Sequence, residues 1–264
     1  MNYNRAEYLP DAEEKVARLQ ALVKGRPVAI LAAGPSIKQL EERIGELANE
    51  DICYFGFNKF TQEEHILKQI GERLTLFMAS DRECIPPVMD DIFKFLDRGD
   101  RNIFLSSFWR NTFELTKIDI NQFIKTYDKK LLFFSLKAMP YNASPNSNEP
   151  LHFFVGNSLQ ILIQIAMISK SPRIVLFGAD GGYPKGATEC YYRQGEYWDK
   201  KGVNEALIFD TNWFNVIMPV SCRNTCETFG LMPPEIINCL SESNYNVFPR
   251  VTYDEAIKYL KGEK

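Results

Sequence analysis

The residues able to do chemistry stand where short apolar runs stop. Val28-Ala29-Ile30-Leu31-Ala32 runs into Ala33, Gly34, Pro35 and Ser36, and Arg173–Phe177 runs into Gly178, Ala179, Asp180, Gly181 and Gly182. Gly34 has no Cβ, so another group can approach its backbone closely. Ser36 opens a helical pattern, where free N–H groups and the positive end of the dipole attract phosphate. The same residue serves equally well as a plain N-cap. Asp180 and a second strand-end carboxylate, Asp81, can hold Mg²⁺, accept from sugar or base groups, or act as a general base. One of the two reads equally as a cap or turn residue. Asn58 ends the second apolar run, and Asn238 stands within or just after the last. Gly156-Asn157-Ser158 opens another helix and offers the same choice between an anion or carboxylate site and simple capping.

A loop rich in tyrosine follows Asp180. Tyr183, Tyr191, Tyr192 and Tyr197 are interspersed with Gly181, Gly182, Gly186 and Gly195. Segments this long without regular structure are usually functional or disordered. Tyrosine hydroxyls donate to phosphate while their rings exclude water. The alternative reading is an aromatic surface at an interface between copies in a homo-oligomer. The two histidines carry less: His65 falls on an exposed helical pattern, and His152 precedes Phe153. No Ser-His-Asp order and no cluster of metal ligands is visible. The turn at Gly34 is neither Gly-x-Gly-x-x-Gly nor a P-loop, which excludes the dinucleotide fingerprint and the Walker motif. The six cysteines (Cys53, Cys84, Cys190, Cys222, Cys226 and Cys239) form no Cys-x-x-Cys pair and read as reduced thiols, several of them in the core.

The elements that must position these residues alternate. Strands are predicted at Val28–Ala32, Ile52–Phe57, Leu74–Ala79, Ile103–Leu105, Leu131–Phe134, Arg173–Phe177 and Ile236–Cys239. Helical patterns fall between them, and the last is capped by Thr252 and Glu255. This predicts an α/β fold with a doubly wound, Rossmann-like, mostly parallel sheet and helices on both faces. The 264 residues fit a single nucleotide-binding domain over 1–264, with 181–204 as a lid loop and 106–130 as an insertion. Pro219 interrupts the helical pattern between Phe209 and Gly230. A net charge of −3 points away from nucleic acid. No apolar stretch is long enough for a transmembrane segment, and the polar first 18 residues do not read as a signal peptide, so a cytoplasmic protein is expected.

Four segments carry a resemblance. They are Ile30-Leu31-Ala32-Ala33-Gly34-Pro35-Ser36-Ile37, Phe55-Gly56-Phe57-Asn58-Lys59-Phe60, the unit from Gly156-Asn157-Ser158 to Gly178-Ala179-Asp180, and Ile236-Ile237-Asn238-Cys239-Leu240-Ser241. Their order and spacing resemble the bacterial lipooligosaccharide sialyltransferases. The wider group includes motility accessory factors and MptE-like 6-hydroxymethylpterin pyrophosphokinases. The resemblance implies that Gly34, Pro35, Ser36 and Asn58 hold a nucleotide-sugar donor, CMP-linked in that family. Tyr183 and either Tyr191 or Tyr192 would contact the leaving phosphate. The family's histidine base after the tyrosine loop has no counterpart, since no histidine follows His152. The expectation is a nucleotide-sugar-dependent glycosyltransferase acting on a surface glycan acceptor, without a metal or other cofactor. Asp180 would orient the donor or serve as base. The alternatives are a Mg²⁺-dependent pyrophosphokinase of the MptE-like type using Asp81 and Asp180, and a non-catalytic nucleotide-binding protein.

Overall fold

The computed structural model describes residues 12–62, 64–79, 85–99, 102–107, 113–137, 151–154, 157–181, 203–240 and 242–263. Eight strands form one sheet: β1 (Val28–Leu31), β2 (Cys53–Phe57), β3 (Leu74–Met78), β4 (Ile103–Ser107), β5 (Leu131–Lys137), β6 (Leu151–Phe154), β7 (Arg173–Phe177) and β8 (Glu235–Asn238). Their order is β6-β5-β4-β3-β2-β1-β7-β8, and every neighbouring pair is parallel. The chain steps outward from β1 to β6, then returns to the other side of β1 for β7 and β8. The direction of winding therefore reverses between β1 and β7.

The strands are short apolar runs because both faces of the sheet are covered. Ala29 and Leu31 of β1 join one core layer, and Val28 and Ile30 join the other, as the two-residue period requires. The first layer packs under α2 (Lys38–Arg43), α3 (Glu64–Ile70), α4 (Met89–Asp97), α5 (Ile120–Tyr127) and α8 (Tyr253–Lys261). The second packs under α1 (Ala12–Val23), α6 (Ser158–Ile168) and α7 (Val203–Phe229). This is the expected Rossmann-like α/β architecture. Burying each Leu, Ile or Phe of these layers contributes about 1.5–3 kcal/mol. Local signals fix the helix starts. Asp119 accepts from Asn121 N and Gln122 N, and Thr252 with Glu255 forms the expected reciprocal capping box.

Two expectations change. Leu151–Phe154 is a strand, β6, and extends the sheet beyond β5. The described part of the segment 106–130 includes α5, which lies between β4 and β5 in the chain. Pro219 does not end a helix but lies inside α7. Its missing N–H costs the carbonyl four residues earlier its helical partner. Burial of Phe214, Ile217, Met218, Ser221 and Thr225 along the same side holds the helix through that defect. Cys53 and Cys239 are buried and Cys222 and Cys226 half-buried, all as free thiols.

The outer edge of β8 carries one further rung. Asn238 N donates to Pro249 O and Val251 N donates to Asn238 O, both at 2.9 Å. The next rung of this register would need an N–H at position 249, and proline has none. Among the described residues no helix is long and apolar enough to cross a membrane.

Candidate functional site

The carboxyl ends of β1 and β7 lie side by side at the point where the winding reverses. Ala32 N donates to Phe177 O and Gly34 N to Gly178 O, each at 2.8 Å, so the two strands continue as paired backbone past their ends. Doubly wound sheets bind ligands in the crevice that such a reversal leaves. Gly178 has φ 68° and brings its backbone against Ala32 O, where a Cβ would come within 2.5 Å. A Cβ on Gly34 would lie 1.7 Å from Asp180 Oδ2 and 2.4 Å from Gly178 O. The close approach that Gly34 permits is thus made by the chain's own aspartate.

That aspartate sits on the turn after β1. Ser36 Oγ donates to Asp180 Oδ2 at 2.9 Å, and Ser36 N lies 3.3 Å from both carboxylate oxygens. Pro35 and Ser36 belong to a single helical turn, Pro35–Ile37, that leads into α2. The free amide at its start is therefore satisfied by Asp180, and any anion approaching Ser36 must compete with that carboxylate. Asp180 is half-buried. Burial pushes its carboxyl above the usual range, and the hydrogen bonds from Ser36 draw it back.

The main chain around Asp180 is gripped by the polar stretch 242–246 that follows β8. Ser243 Oγ donates to Ala179 O at 2.6 Å, and Asn238 Nδ2 donates to both Ala179 O and Ser243 Oγ. Asn244 N donates to Asp180 O, and Asn244 Nδ2 donates to Gly181 O, both at 2.9 Å. Asn238 is buried, and its Oδ1 has no partner among the described residues. Ser243, Asn244 and Tyr245 escaped the sequence reading. The signal that finds them is the strand-end rule applied to β8 itself, since they follow its carboxyl end.

Asn157 N-caps α6: its side chain accepts from Gln160 N, and its Nδ2 donates to Tyr245 OH at 3.2 Å. The Tyr245 ring packs on Phe214 of α7 with centroids 4.4 Å apart. The start of α6, with Ser158 as its first residue, is thus tied to the same stretch that holds Asp180. Asn58 stands at the end of β2, the strand beside β1. It adopts φ 53°, a left-handed conformation that asparagine tolerates better than most residues. Its Oδ1 is buried and has no partner among the described residues, and the same holds for Thr61 Oγ1.

Gly34, Pro35, Ser36, Asp180 and Asn238 therefore come together at the reversal. Asn157 and Ser158 join them through Tyr245, and Asn58 flanks them on the next strand. Asp81, Gly156, Tyr183, Tyr191 and Tyr192 lie outside the described residues, as does nearly all of the segment 181–204 expected to form a lid. His65 is exposed on α3, and His152 is on β6, at the far edge of the sheet from β8. No group of three or more His, Cys, Asp or Glu is assembled among the described residues, so Asp180 gains no ligand set for Mg²⁺ from them. Comparison of the chain with family models, curated proteins and solved structures found no match. A cavity of about 840 Å³ opens away from the reversal, at the outer edge of β8. Met167, Leu231, Ile236 and Phe248 line it, with Cys222 and Tyr259.

Proposed function

We propose that the crevice between β1 and β7 binds a nucleotide-linked sugar and that the chain transfers this sugar to a glycan acceptor. One observation carries the reading: the Gly34–Ser36 turn and Asp180 meet at the reversal of a doubly wound sheet, with Asn58 at the end of the strand next to β1. The half-buried Asp180 carboxylate there is an acceptor, and Asn58 Oδ1 is a buried acceptor without a partner among the described residues. Acceptors suit a ligand rich in hydroxyl donors, which a nucleotide sugar is. In the reaction an acceptor hydroxyl attacks the anomeric carbon, the bond from that carbon to the phosphate oxygen breaks, and the nucleotide leaves. The hydroxyl proton goes to Asp180, whose burial raises its carboxyl toward the range useful for a general base. Asp180 thereby takes the part for which this chain lacks the histidine of the sialyltransferases it resembles. Tyr183 and Tyr191 or Tyr192 would stabilise the charge developing on the phosphate. The transfer needs no metal or other cofactor.

A thermal-shift series with CMP, CDP, UDP, GDP and ATP, with and without Mg²⁺, tests this. At about 100 times the dissociation constant a ligand adds about 2.7 kcal/mol. For a chain of this size that raises the midpoint by about 5–10 °C. A shift with CMP that ignores Mg²⁺ supports the reading. A shift that requires Mg²⁺ and ATP transfers it to the pyrophosphokinase alternative. No shift with any nucleotide overturns it.

A further inference from the structure

The crevice depends on a segment that has little intrinsic reason to hold its shape. Asp180 lies between two glycines with positive φ, Gly178 at 68° and Gly181 at 73°. It lies beyond the last residue of β7, so no sheet hydrogen bond fixes its peptide. Yet the carbonyls of residues 179, 180 and 181 are all bonded, each to the stretch after β8.

We infer that Ser243 and Asn244 are positioning residues: by clamping the three carbonyls around Asp180 they hold its carboxylate on Ser36 and set the shape of the crevice that receives the ligand. This rests on the reading of that crevice as a nucleotide-sugar site. Neither residue acts on the ligand directly; both act through Asp180.

The chemistry of the clamp supports this. A serine hydroxyl has one proton to give and two lone pairs to receive. Ser243 uses all three: it donates to Ala179 O and accepts from Asn238 Nδ2 at 2.9 Å and Tyr245 N at 3.0 Å. It is 1 % exposed, so water cannot replace a lost partner. The loop bearing it is itself anchored on three sides. Asn215 of α7 donates from Nδ2 to Asn244 O at 2.8 Å and accepts from Asn246 N at 3.0 Å. Arg250 Nη1 donates to Ser243 O at 2.8 Å. Tyr245 OH accepts from the Asn157 cap of α6. A stiff support of this kind transmits its own position to whatever it holds. Without it, the glycines on either side let Asp180 swing away from Ser36 and into solvent.

The decisive measurement is the titration of the Asp180 carboxyl, followed by ¹³C NMR on the ligand-free full chain. Wild type, Ser243→Ala and Asn244→Ala are compared, with the affinity for CMP measured by calorimetry alongside. Burial is the largest cause of the raised Asp180 value, so a carboxylate released to solvent titrates closer to an ordinary aspartate. The expected result is a downward shift of the Asp180 midpoint in both variants, with CMP affinity about tenfold weaker. Folded variants that melt earlier but keep the wild-type Asp180 titration overturn the inference, because Ser243 and Asn244 are then structural only. If Ser243→Ala does not fold, Asn244→Ala decides by the same readout, since it keeps the main-chain bond to Asp180 O. If wild type binds no CMP, the nucleotide-sugar reading fails, and the titration still decides whether the clamp positions Asp180.

Discussion

Replacing Gly34 by alanine sets two effects against each other. Gly34 has φ −74° and ψ 155°, a conformation open to any residue. Seen from the backbone alone, alanine should stabilise by about 0.4–1 kcal/mol, because it restricts the unfolded chain. The contacts say the opposite. The new Cβ would stand 1.7 Å from Asp180 Oδ2 and 2.4 Å from Gly178 O. Moving the Asp180 side chain sacrifices its charge-assisted bonds to Ser36, worth about 1.5–3 kcal/mol, and moving the backbone strains Gly34 N to Gly178 O, worth about 1 kcal/mol. Overpacking of this kind adds about 1–3 kcal/mol. The net cost is about 3–7 kcal/mol, a fall in melting midpoint of about 6–28 °C. Chemical denaturation of Gly34→Ala, Asp180→Ala and the double variant measures it. The alanine at 34 should cost less when Asp180 is already truncated, without becoming neutral, because Gly178 O remains. A Gly34→Ala protein as stable as wild type would show that the reversal is not packed this way.

Three further outcomes are expected. Asp180 has a raised carboxyl pKa in the fold, so its contribution to stability is present below the ordinary aspartate range and is lost as pH rises through the raised value. Asp180→Asn keeps one acceptor oxygen for Ser36 and removes that loss. Its melting midpoint should gain on wild type as pH increases, and a wild type that gains instead refutes the assignment. Asn58→Gly relieves the left-handed backbone and removes a buried amide oxygen that has no partner among the described residues, so it should melt no earlier than wild type while CMP binding weakens at least about tenfold. Unchanged affinity would remove Asn58 from the site. Tyr54 and Tyr253 carry buried hydroxyls with no partner among the described residues, and burial pushes the Tyr54 phenol up to about 12. Phenylalanine at either position should stabilise by about 1 kcal/mol, and a loss of that size in urea denaturation would reveal a hidden partner.

What the sequence showed and what it withheld divide along the range of the signals. Val28–Leu31 and Arg173–Phe177 were legible as strands because the first is continuously apolar, the second is apolar from Ile174 on, and each ends in a glycine-bearing turn. The turns after them were legible as candidate sites by the same rule. That Asp180 lands on Ser36 was not, because it requires β7 to insert beside β1, and strand order is a tertiary outcome with no local mark. The role of Gly34 shifted for the same reason: its missing Cβ makes room for Asp180. Leu151–Phe154 was hidden by its brevity and by the Pro- and Asn-rich residues before it. Pro219 misled because propensity weighs a single proline heavily, whereas the packing of Phe214 and Met218 outweighs it. Ser243 and Asn244 form no motif, since their partners are backbone carbonyls that any sequence could supply.

The strand order also dictates when the crevice can exist. Ser36 and Asp180 are 144 residues apart, and β1 receives its second neighbour only when β7 arrives. During synthesis β1 to β6 can add outward one after another, while the other edge of β1 stays open with its N–H and C=O groups unpaired. Closing so long a loop is slow compared with local pairing, so this central edge is exposed for longer than any other inner edge of the sheet. An unpaired edge on a nascent chain invites pairing with another molecule. The edge of β1 that borders the crevice thus stays open until β7 pairs with it, and the meeting of Asp180 with Ser36 follows that closure.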